Sequence, residues 1–156
     1  MSYSTILFDL FDTLILFDRD RLPEIQVNGR TARSTAGHLH RVLQPCAPGV
    51  DLSRFYDALL SSWQEAERIR LSTHREVPAP ERFALLFHML NLDPASLHHE
   101  VIEALLAAHA LELSKAAVFP DAHRDVLDRV VGRYGIGLVS MFDYGPTVRL
   151  ILERVG

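Results

Sequence analysis

The spacing of apolar positions changes period twice along this chain. Thr5-Ile6-Leu7-Phe8 is a short, β-prone apolar run and reads as a buried strand, with residues 10–17 as a tight exit from it. Leu22 to Val27 and Arg30 to Arg33 flank Asn28-Gly29, a dipeptide suited to a type I′ turn, so a hairpin is expected, with Pro23 keeping its first arm at a sheet edge. From Ser34 the period becomes helical. Ser34 or Thr35 can cap a helix running to about Gln44. Asp51 caps the next, whose stripe is Leu52, Phe55, Tyr56, Leu59, Leu60 and Trp63. Another starts near Pro80 with Phe83, Leu86, Phe87 and Leu90 in register. A further one, opening after Asp93-Pro94, carries Val101, Ile102, Leu105, Leu106 and Leu113. All these stripes are read as packed core.

After Phe119-Pro120-Asp121 the pattern alternates again. A helix is expected with Val126, Leu127, Val130 and Val131 inward, closed by Gly132 to Gly135. Ile136 to Ser140 reads as a second buried strand, and Pro146 to Val155 as a last helix. The order is strand, hairpin, helical block, helix, strand, helix. It predicts an α/β fold: a core with parallel strands near 5–9 and 136–140, and a helical insertion between them. The expected boundaries are 1–33 plus 116–156 for the core and 34–115 for the inserted block.

Composition narrows this picture. With 156 residues, 48% of them apolar, one domain or a core plus a small insert is expected. A net charge of −4 and the lack of a basic stripe argue against nucleic acid as a partner. No apolar run approaches the ~18 residues of a membrane span, so none is expected. The N-terminus, Met1-Ser2-Tyr3-Ser4-Thr5, lacks the basic start of a signal peptide. The one cysteine, Cys46, excludes an intrachain disulfide and fits a reducing, cytoplasmic setting.

Candidate chemistry begins with ILFDLFDTLILFD, residues 6–18, where Asp9 and Asp12 interrupt an apolar run. An ionised carboxylate there is costly unless something pairs with it or uses it. The eight histidines show no metal-ligand spacing and read as surface or satisfied groups. His88, among apolar neighbours, reads as packed. Phe55, Trp63 and Phe87 read first as core and second as walls of a pocket.

Asp9 to Thr13, an Asp-x-x-x-Thr after a strand, together with Phe119-Pro120-Asp121 and the strand ending Ser140-Met141-Phe142-Asp143, resembles the haloacid dehalogenase (HAD) hydrolase superfamily, in its helical-cap group. The resemblance implies a Rossmann-like core, with residues 22–33 as a flap and 34–115 as the cap. It implies a hydrolase in which Asp9 attacks a small phosphorylated or halogenated acid and forms an aspartyl-enzyme intermediate. Ser140 would hydrogen-bond the substrate's anionic group, Thr13 would orient Asp9, and Phe11, Asp12 and Met141 would line or orient the site. It also implies Mg²⁺ at Asp9 in the phosphatase branch. The plainer alternatives are a carboxylate accepting backbone N–H groups for Asp9 and a strand-end cap for Ser140.

Two departures qualify the resemblance. The family's phosphatases carry a second Asp two residues after the nucleophile, as general acid and base. Here that position is Phe11, an aromatic, as in the 2-haloacid dehalogenases; Asp12 is read as a turn-capping residue instead. Without the acid an alkoxide must leave unprotonated, a loss of about 10²–10⁴-fold, whereas a halide needs no proton. The family's later motifs, with an essential Lys or Arg and further acidic residues, have no counterpart between Ser140 and Gly156. Lys115, the only lysine, reads as a solvated surface residue, and Arg149 and Arg154 as exposed. The expectation is a Mg²⁺ site left incomplete and a polypeptide inactive alone. A second copy or a complementing C-terminal chain would then cover the open strand edge. The alternative is a non-catalytic remnant or partner-binding helical module.

Overall fold

The computed structural model describes residues 3–156 and shows a mixed α/β chain. Its order is β1 (Thr5–Asp9), β2 (Leu16–Phe17), β3 (Glu24–Val27), β4 (Arg30–Arg33), α1 (Ala36–Leu43), α2 (Leu52–Thr73), α3 (Ala79–Met89), α4 (His99–Ala116), β5 (Ala117–Val118), α5 (Asp121–Val130), β6 (Gly135–Val139) and α6 (Gly145–Val155). Among the described residues, no helix is long and apolar enough to cross a membrane.

The helical block owns the main core. Phe55 of α2, Phe83, Leu86 and Phe87 of α3, Leu39 and Leu43 of α1 and Leu105 of α4 are all fully buried in one cluster. Helical period explains this: each stripe presents one face, and four such faces enclose a volume. The Asp51 carboxylate accepts the Arg54 N–H at 2.9 Å and starts α2. The hairpin closes through Asn28 and Gly29, both at positive φ (51° and 72°), the backbone that a type I′ turn requires. Its inward residues, Ile25 and Val27, join the helical core.

β1 pairs with β6 in parallel, Thr5 opposite Gly135 through Asp9 opposite Val139. The strands lie where the apolar runs predict them, but neither is buried. Leu7 is 68% exposed, Ile136, Leu138 and Val139 are exposed, and only Ile6, Phe8 and Gly137 are half-covered. Helix α5 corrects a second expectation. It contains no buried residue, Val126 and Val131 are exposed, and only Leu127 packs on the small cluster of Leu10, Leu14, Ile15, Ala117 and Ile151. The physical reason is shared: a two-stranded sheet has too few neighbours to cover both of its faces. Helix α6 lies along α4 and β5, where Ile151 and Thr147 are buried.

Three smaller differences have local causes. The helix expected from Pro94 is a 3₁₀ turn, Pro94–Ser96, because the Asp93 side chain accepts the Ala95 N–H and Leu97 is extended; α4 begins at His99. The exit after β1 contains β2, which pairs antiparallel with β5 and ties this exit to the end of α4. His88 is exposed rather than packed, because the stripe of α3 faces away from it.

Candidate functional site

The strand register determines the site. Asp9 and Val139 are partners, and the Leu10 N–H donates to Val139 O at 3.1 Å, carrying the ladder one residue beyond Asp9. Asp9 and Ser140 therefore leave the sheet at the same carboxyl edge, the edge at which open α/β sheets bind ligands. The chain turns sharply there. Leu14 and Ile15 N–H groups both donate to Leu10 O, and the Asp12 N–H donates to Ile15 O at 2.8 Å. The Thr13 hydroxyl donates to Asp9 Oδ2 at 3.3 Å.

Asp12 adopts φ 56°, a left-handed position that Asp tolerates, and its carboxylate makes no hydrogen bond among the described residues. It serves the turn through its backbone, which replaces the side-chain cap expected from the sequence. Ser140 Oγ accepts the Phe142 N–H at 3.2 Å, the strand-end geometry, and its own O–H remains available. Met141 is exposed. Phe11 stacks on Phe17 (5.1 Å between centroids) and meets Phe142 in a tilted contact (4.6 Å), joining the β1 exit to the segment after β6.

No described cation stands against Asp9. The ion pairs of the described residues all use other carboxylates. Lys115, read as a solvated surface residue, is partly exposed and is tied to the buried Glu112 at 2.8 Å, which His38 also meets at 2.9 Å. Arg149 and Arg154 are exposed. Among the described residues, no group of three or more His, Cys, Asp or Glu side chains that could hold a metal ion forms.

Exposure alters the electrostatic cost. Asp9 is exposed, so water screens it. An anion ~3.5 Å away is repelled by about 1 kcal/mol at the dielectric of water, against roughly 5 at an effective dielectric of 20. The same water hydrates the carboxylate and removes the dry, preorganised setting in which nucleophiles and oxyanion donors work best.

A polar cluster between α2, α3, α4 and the segment after β6 escaped the pattern reading. Arg82 pairs with Asp143 at 3.0 Å, its guanidinium lies 5.5 Å from the Trp63 ring centroid, and its Nη2 meets His109 Nε2 at 3.3 Å. Arginine only donates, so Nε2 accepts and the His109 proton sits on Nδ1, which donates to Thr35 Oγ1 at 3.1 Å. Thr35, expected as a possible cap of α1, makes no side-chain capping bond; Ser34 Oγ takes the Ala36 N–H instead. Burial, with the Arg82 charge second, pushes His109 down to about 3. Burial raises Asp143, with Arg82 opposing. Arg82 sits at the flank of the α3 stripe, the one sequence signal that pointed to it.

In comparisons with known proteins, no family model matches the chain, and no curated protein matches it.

Proposed function

We propose that this chain carries the nucleophile half of a HAD-like hydrolase site, acting through an Asp9 aspartyl-enzyme intermediate on a small phosphorylated or halogenated acid. The observation that carries the proposal is the parallel β1–β6 pair, which brings Asp9 and Ser140 to one carboxyl edge with the Thr13 hydroxyl on Asp9. With a 2-haloacid, an Asp9 oxygen would attack the carbon bearing the halogen. The C–X bond would break, halide would leave with its electron pair, and water would then hydrolyse the ester and restore the carboxylate. Phe11 offers no proton, a condition that halide tolerates and an alkoxide does not. With no described cation at Asp9, the polypeptide alone is expected to give no turnover of p-nitrophenyl phosphate or 2-chloropropionate above buffer. Turnover that disappears in Asp9→Asn would contradict the missing counter-charge and uphold the nucleophile.

The exposed sheet favours a second reading, a non-catalytic module that pairs with another copy of itself. The free edge of β1 has no proline and no charge from Thr5 to Phe8. Two such edges related by a two-fold axis would run antiparallel, with Leu7 near its own counterpart. Sedimentation is expected to show a dimer that Leu7→Lys converts to monomer and Asp9→Asn leaves unchanged. A wild-type monomer at all concentrations would reject this reading.

A further inference from the structure

A cavity of about 480 Å³ lies between the hairpin, α2 and the end of α4. That is within the range of roughly 300–1,000 Å³ typical of small-molecule sites. One wall is a helical stripe, Tyr56, Leu60 and Trp63, at one-turn spacing on α2. Phe17 lines it as well, and stacks on Phe11.

Two polar features within this lining point to a ligand. Arg19 is exposed, and its guanidinium makes no hydrogen bond or ion pair among the described residues, whereas its neighbour Arg33 is held by Glu24 at 2.8 Å. Thr35 is 2% exposed, and its hydroxyl oxygen already accepts from His109, so its own O–H is left to donate. A buried hydroxyl with an unspent donor is costly unless an acceptor meets it. The cavity thus combines apolar walls, one unspent hydroxyl donor and one unpaired guanidinium. A single guanidinium matches a carboxylate in a two-pronged pair, and a monoanion suits it better than a phosphate dianion.

We propose that this cavity binds a small organic carboxylate with an apolar or aromatic body, its charge met by Arg19, its body held by Tyr56, Leu60 and Trp63, and an acceptor atom met by Thr35. The assignment does not rest on the Asp9 chemistry.

Trp63 is the chain's only tryptophan, so its fluorescence reports from the cavity wall. The test is titration of the whole chain with 4-phenylbutyrate and with its neutral analogue 4-phenylbutanol. Phenylbutyrate is expected to change the Trp63 signal saturably and to bind at least tenfold tighter than the alcohol. Arg19→Ala, an exposed change that spares the core, should erase that difference. Leu60→Arg should weaken both ligands, and Asp9→Asn should bind as the parent does. Equal affinity for acid and alcohol, or a preference that survives Arg19→Ala, would overturn the proposal. So would nuclear Overhauser contacts of the phenyl ring with Leu7 or Leu138 of the exposed sheet in place of Tyr56 and Leu60.

Discussion

Phe87→Ala is expected to lower the unfolding free energy by about 4 kcal/mol, while Val126→Asp changes it by about 0.5 kcal/mol or less. Both replace an apolar residue on a helical stripe. Phe87 is fully buried between α3 and its neighbours, 6.4 Å from the Phe83 ring, and its removal leaves a ring-sized cavity in a close-packed interior. Val126 lies on α5, which buries nothing, so the carboxylate meets water. Urea denaturation of the two variants measures the contrast. Similar losses in both would mean that α5 has a covering in solution.

Acidification from pH 7 to pH 5 is expected to cost about 2 kcal/mol of stability through His109 alone. The imidazole titrates at its ordinary 6.5 when unfolded, but is held down to about 3 in the folded chain. Below pH 6.5 the unfolded state therefore binds the proton that the folded state refuses. Stability from this group is complete above 6.5 and is lost progressively as pH falls toward 3. The refusal has a structural cause: protonating Nε2 would place a donor against Arg82 Nη2 and a second positive charge in a buried site. Asp143, raised by burial, works in the opposite direction, so the parent must be compared with a variant. His109→Gln keeps a donor for Thr35 and an acceptor for Arg82 while removing the titration. Unfolding midpoints across this pH range should fall for the parent and fall much less for His109→Gln. Parallel curves would remove His109 as the cause.

The helices were legible because their signals are local. Asp51 caps α2, and Phe83, Leu86, Phe87 and Leu90 repeat at helical spacing. Asn28-Gly29 specifies a turn that few other residues make easily. The location of β1 and β6 was legible for the same reason, but their exposure was not. A run such as Ile6-Leu7-Phe8 reads alike whether a neighbour covers it or not, and burial is decided by what packs against it. The carboxyl edge bearing Asp9, Thr13 and Ser140 could be placed because it follows strand ends. The Arg82–Asp143–His109–Thr35 cluster could not, since its members lie far apart in the chain and share no period. Lys115 lies at the surface as its sequence context suggests, but its i, i+3 tie to the buried Glu112 was not legible.

The proposal that Asp9 is a nucleophile without an adjacent cation is tested most directly by site-resolved alkylation. With the exposed thiol removed in Cys46→Ser, the chain is treated with neutral 2-bromoacetamide or anionic 2-bromoacetate, and ester adducts are mapped by mass spectrometry. Each adduct forms one carboxylate oxygen–carbon bond and releases bromide. Asp9 is expected to label ahead of Asp12 and the other exposed carboxylates with the amide. The acid should react about eightfold more slowly, the factor that about 1.2 kcal/mol of repulsion gives in water. Labelling spread evenly over the exposed carboxylates would contradict the nucleophile, and equal rates for the two reagents at Asp9 would contradict the missing counter-charge.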